Sequence, residues 1–91
     1  MKTFAALITS VPDIVERRQP YREVHLAGLR KLKEEGKLVM AGAWADQVDG
    51  ALIIFKADSK EEVEQILRND PYYKAGLWPE FRVREWGIAV S

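Results

Sequence analysis

Three side chains in this sequence have types and spacings suited to proton chemistry. His25, the only histidine, lies in "YREVHLAGLRKL", and Arg22 stands three residues before it. Asp70 lies far downstream in "RNDPYYKAGL", directly ahead of a proline. A carboxylate bonded to one ring nitrogen of an imidazole fixes its tautomer and leaves the other nitrogen free to exchange a proton with a substrate. Arg22, one helical turn from His25, could hold an anionic substrate oxygen. Each residue also has a plainer reading. A lone histidine on an apolar stripe is more often a core or interface residue, and Arg22 could be a solvated flank. Asp70 could be the N-cap of a short helix, with Pro71 at its first position and Gly76 at its end.

The elements that must position these residues follow from the hydrophobic pattern. Residues 3–9, "TFAALIT", read as a buried first strand ending at Ser10-Val11-Pro12. "PDIVERRQP" holds a helical turn or two, and Pro20 suits the first position of the next helix. Tyr21, Val24, His25, Gly28, Leu29 and Leu32 then follow the three-four spacing of one helix face, closed by Gly36. "KLVMAGAWA" and "GALIIFKA" are strands joined by "DQVDG". "DSKEEVEQILRN" opens with Ser59 and Glu62 at capping-box spacing, and Val63, Ile66 and Leu67 form its inward stripe. If that helical phase persists, Asp70 faces the sheet as His25 does. However, Pro71 pushes the residue before it out of the α region. "EFRVREWGIAV" reads as a long last strand.

Strand, helix, strand, strand, helix, strand is the order of a ferredoxin-like β-α-β-β-α-β sandwich, α+β in class, with both helices on one sheet face. Residues 38–41 and 51–55 are apolar in succession, although a water-facing antiparallel sheet would alternate. Both sheet faces are therefore expected to be covered, most simply by a homodimer packed through the open face. Trp44 and Tyr72 are the aromatic candidates for contact with a small ligand. Tyr72, Tyr73 and Trp78 also read as packing, and Trp44 and Trp86 as lining a cavity or an interface.

Composition removes several alternatives. At 91 residues the chain is expected to form one domain, residues 1–91, small enough that a second subunit would help to bury its surface. It has no cysteine and a single histidine, which leaves neither disulfides nor a zinc site of the usual ligands. Fourteen basic residues balance fourteen acidic ones, unlike a non-specific nucleic-acid binder. "GALIIFKA" is aliphatic where an RNA-reading sheet would present stacking rings. The apolar run at the N-terminus is short and leads straight into the fold, and no stretch approaches a membrane span. The expectation is a cytoplasmic protein.

"REVHLAGLRKLKEEGKLVMAG", with Arg22, His25, Leu26, Gly36 and Gly42, and "DPYYKAGL", with Asp70, Pro71, Gly76 and Leu77, resemble the paired motifs of the YCII-related family. The resemblance spans nearly the whole chain. One departure is Ala43-Trp44, where many members carry proline after the Ala-Gly pair. The family resemblance implies a dimeric α+β barrel and an active site built on a His–Asp pair, here His25 and Asp70, with Arg22 binding substrate. It also implies cofactor-free proton transfer on small oxygenated rings, since some relatives act on chlorinated hydroxyquinol-type aromatics and the wider fold group includes muconolactone isomerase. Two functions follow as expectations. One is a cofactor-independent lyase or isomerase acting on an anionic or phenolic small molecule. The other is a non-catalytic ligand-binding or interaction module using the same pocket.

Overall fold

A computed structural model describes all of residues 1–91. Four strands, β1 (Lys2–Thr9), β2 (Leu38–Ala43), β3 (Gly50–Ala57) and β4 (Glu80–Glu85), form one antiparallel sheet in the order β2-β3-β1-β4. The chain between β1 and β2 holds a short helix α1 (Ile14–Arg17), a 3-10 turn (Gln19–Tyr21) and the long helix α2 (Arg22–Glu34). Helices α3 (Lys60–Arg68) and α4 (Pro71–Lys74) connect β3 to β4. This is the expected ferredoxin-like architecture. No helix is long and apolar enough to cross a membrane.

Alternation along the strands sends one set of side chains toward the helices. Phe4, Ala6 and Ile8 of β1, Ile53, Phe55 and Ala57 of β3, and Val83 of β4 form a single core with Val63 and Leu67 of α3. Ile14, Leu38, Tyr72, Leu77 and Trp78 complete it, and Leu29 and Leu32 of α2 pack on it. Local signals set the helix ends. Ser59 Oγ accepts from Glu62 N, while Glu62 Oε2 accepts from Asp58 N, one residue before the cap. Gly36 takes φ +77° after α2, and Lys37 N donates back to Leu32 O, closing the last turn.

Three expectations are corrected. Pro20 lies in the 3-10 turn rather than at the first position of α2. The apolar face of α2 is turned from the one read in the sequence. His25, Leu29 and Leu32 point inward, while Tyr21 and Val24 are 40% and 64% exposed. The last strand ends at Glu85 instead of running through "WGIAV". Its neighbour β1 runs antiparallel, and Glu85 already faces Phe4 while Trp86 N donates to Thr3 O. Beyond that point β1 has almost no residues left to pair with.

The opposite parity forms the open sheet face. Ala5 stands level with Ile54, which faces Met40, and Leu7 stands level with Leu52. Arg84 and Arg82 flank Ala5 and Leu7 from β4. Leu7 and Met40 are 44% and 63% exposed there.

The β2–β3 register shifts by one residue between Leu38 and Met40. This bulge reverses the parity of everything after it. Leu38 faces Phe55 on the helix side, yet Met40 pairs with Ile54 on the open side, and Ala41 and Ala43 fall level with Ile53 and Ala51 on the helix side. Two glycines give opposite expectations for added bulk. A Cβ on Gly50 would meet the Ile8 carbonyl oxygen, which as backbone cannot move aside, and would sit 3.1 Å from Trp44 Nε1. Gly28 in α2 has nothing within 4 Å of the same position. In urea denaturation, Gly50→Ala is expected to lose about 1–3 kcal/mol of stability. Gly28→Ala is expected to gain up to about 1 kcal/mol.

Candidate active site

Helix α3 stops at Arg68, and Asp70 adopts an extended backbone, φ −69° and ψ 138°, as its position before Pro71 requires. The helical phase therefore does not carry Asp70 inward. It gets there as the N-cap of α4. Pro71 has no N–H to satisfy, so the first donor of the new helix is Tyr72 N, which reaches Asp70 Oδ1 at 2.8 Å. That bond orients the carboxylate toward α2, where His25 Nδ1 lies 2.9 Å from Oδ1 and 2.8 Å from Oδ2. The two readings of Asp70, cap and histidine partner, are thus both realised by one side chain.

The pair is well shielded, with side-chain exposures of 9% for His25 and 10% for Asp70. His25 is the only buried polar or charged residue in the protein. Its ring stacks on Tyr72 at 3.7 Å between centroids and 11° between planes. Trp78 meets it edge-on at 5.6 Å and 84°. An ionised carboxylate can only accept, so Nδ1 carries the proton of the neutral ring and Nε2 presents its lone pair. Nε2 has no protein partner.

The imidazole forms part of the wall of a cavity of about 410 Å³. That volume lies in the range of small-molecule sites. Arg22 enters the wall from the start of α2, and Tyr72 and Trp78 from the segment around α4. Trp44, 43% exposed, stands at the end of β2. On the sheet side, Ala41, Ala43 and Ala51 line the wall beside Ile53, and the small size of the alanines leaves the space open. The bulge in β2 is responsible, because an unbroken register would have turned Met40 into this volume instead. Asp70 stands behind His25 and is not part of the wall.

His25, Arg22, Trp44 and Tyr72 are therefore gathered around one cavity, with Asp70 bonded to His25. Trp86 is not part of it. Trp78 packs in the core as the sequence reading has it, and its edge also meets the histidine ring. One feature of the wall escaped that reading. Arg18 went unremarked inside "PDIVERRQP", although it lines the same cavity. Its four-residue spacing from Arg22 was the available signal. No group of three or more His, Cys, Asp or Glu side chains is placed to hold a metal ion.

Replacing Asp70 separates its two roles. Asparagine caps about as well as aspartate, so Asp70→Asn should leave stability within about 0.5 kcal/mol for the cap itself. Its amide can either accept from Nδ1–H or donate to a bare Nδ1, so the tautomer is no longer dictated. Nitrogen-15 NMR of the single histidine should show the Nδ1–H form in the wild type and a mixture in Asp70→Asn. Identical tautomer signatures would show that the carboxylate does not control the ring.

The YCII-related domain pattern matches residues 2–87. Fusaric acid biosynthesis protein 2 of Gibberella moniliformis is 28% identical over 94% of this chain and 91% of its own length. Protein YciI of Escherichia coli O6:H1 is 32% identical over 79% of this chain and 83% of its own. Among solved structures, 5-chloro-2-hydroxyhydroquinone dehydrochlorinase (TftG) from Burkholderia phenoliruptrix, in complex with 2,5-dihydroxybenzoquinone, superposes with a TM-score of 0.80. It is 28% identical, over 93% of each chain. With the pattern covering nearly its whole length, this chain belongs to the family of YCII-related domain proteins.

Proposed function

We propose that this chain, acting as one domain over residues 1–91, is a cofactor-independent lyase or isomerase that moves a proton on a small oxygenated ring. The observation that carries the reading is His25 in the wall of a cavity of about 410 Å³, with Asp70 bonded to it from behind. His25 Nε2 is the base that takes a proton from a substrate hydroxyl or carbon. Asp70 is a positioning residue, holding Nδ1–H and stabilising the imidazolium that forms. Arg22 steadies the negative charge that develops on the substrate oxygen, while Tyr72 and Trp44 contact the ring.

Two outcomes balance without any electron acceptor. The proton on Nε2 can return to a different carbon, which is isomerisation. Alternatively the electron pair left on the substrate expels a leaving group as an anion, which is elimination. Similarity over nearly the full chain to a dehydrochlorinase crystallised with a dihydroxybenzoquinone favours the second. The same reading takes the working unit to be a homodimer closed through the open sheet face, because Leu7 and Met40 lie exposed beside Leu52 and Ile54.

Chloride release from 5-chloro-2-hydroxyhydroquinone, and deuterium exchange into unchlorinated hydroxyquinols, test the chemistry. The wild type should show one or both, and His25→Gln should lower kcat by about a hundred- to ten-thousand-fold with a smaller change in KM. Ligand binding with neither release nor exchange would instead favour a non-catalytic binding module. Sedimentation tests the assembly. The wild type should be dimeric at micromolar concentration, and Leu7→Arg, which alters an exposed side chain, should yield a folded monomer. A monomeric wild type would remove the interface argument.

A further inference from the structure

The cavity wall carries two arginines and no carboxylate. Arg18 is the last residue before the 3-10 turn, and Arg22 opens α2 four residues later. Neither makes an ion pair, whereas their neighbour Arg17 has Asp13 at 3.5 Å and Lys2 has Glu85 at 3.9 Å. Most other arginines are well exposed, where water solvates them. Arg18 is different, because its Nε is shut off from solvent and has no hydrogen-bond partner. Only one other side-chain nitrogen or oxygen shares that condition, the Tyr72 hydroxyl, and Tyr72 lines the same cavity. A buried N–H without a partner is costly, by an amount that grows for a charged group. Both unsatisfied atoms in the protein thus belong to residues of one apolar cavity with two uncompensated positive charges.

We infer that Arg18 is a second substrate-binding residue, acting with Arg22 as a paired guanidinium site, and that the ligand is a small planar carboxylic acid. The inference rests on the cavity being the small-molecule site proposed above, and it names the class of molecule that the cavity takes. A carboxylate matches the planar N–H fork of a guanidinium in geometry and in charge. The ligand's carboxylate would meet the Arg18 and Arg22 guanidinium groups in the wall, while its ring occupies the volume bounded by Ala41, Ala43 and Tyr72. A neutral phenol would leave both cations uncompensated.

Calorimetric binding of 4-hydroxybenzoate and 4-hydroxybenzamide tests this, since the two have nearly the same shape and differ in charge. The wild type should bind the acid about ten- to a hundredfold more tightly, the worth of one charge-assisted contact. Arg18→Met, which keeps much of the apolar stem, should lose most of that preference, because the acid loses far more affinity than the amide. Equal binding of acid and amide by the wild type would overturn the inference, and so would an unchanged preference in Arg18→Met. If Arg18→Met does not fold, the wild-type preference together with its loss in Arg18→Lys, which keeps the charge but not the fork, decides the matter. A wild type that binds only the amide, with His25-dependent proton exchange on hydroxyquinols intact, would defeat this inference and leave the proposed chemistry standing. A wild type that binds neither compound and exchanges no proton would defeat both.

Discussion

The carboxylate of Asp70 joins two parts of the chain that are 45 residues apart, and the geometry of the site depends on it. One of its oxygens accepts from Tyr72 N and so starts α4. Both oxygens lie within hydrogen-bond distance of His25 Nδ1 on α2. Because the helix cap aims the carboxylate, the local folding of "NDPYY" and the orientation of a histidine on another helix are one event. The cap also sets where Tyr72 stands, and Tyr72 provides the surface against which the imidazole stacks. A histidine held by a hydrogen bond at one nitrogen, a ring on its face and an indole at its edge has little freedom to turn. That rigidity suits the proton transfer proposed at the remaining nitrogen.

Space for a ligand arises on the sheet rather than on the helices. An antiparallel sheet with unbroken register would direct Met40 into the layer between sheet and helix and fill it. The bulge after Leu38 turns Met40 to the open face and brings Ala41 and Ala43 inward. One extra residue in an edge strand thus gives up a packing contact on the helix side and leaves a cavity beside the histidine. It also adds a large apolar side chain to the face proposed as the dimer interface. Cavity and interface are consequences of the same irregularity.

The cavity's electrostatics are one-sided. Arg18 and Arg22 reach it from the turn that leads into α2, and no acidic side chain lines it. The acidic partner of His25 stands behind the ring, outside the wall. The wall therefore brings the imidazole and two guanidinium groups together in an otherwise mostly apolar surround, an arrangement suited to an anion on a small ring.

The sequence by itself determined the element order and hence the ferredoxin-like sandwich. It also determined the caps at Ser59 and Asp70 and the helical stop at Gly36, because these depend on residues close along the chain. His25 and Asp70 were legible as candidates from their types and positions, but whether they meet is a long-range question. The helical phase suggested for Asp70 was broken at Pro71, and contact came through the cap geometry instead. The inward face of α2 was misplaced because Tyr21 and Val24 are apolar yet lie on the flank, and only the docking of the helix on the sheet chooses its rotation. The end of β4 depended on where β1 begins, and the cavity on a shift in pairing between β2 and β3. Arg18 acquired its meaning only when the turn before α2 was folded against the end of the sheet. Local periodicity records neither strand register nor helix rotation, since both are fixed by contacts between segments distant in the chain.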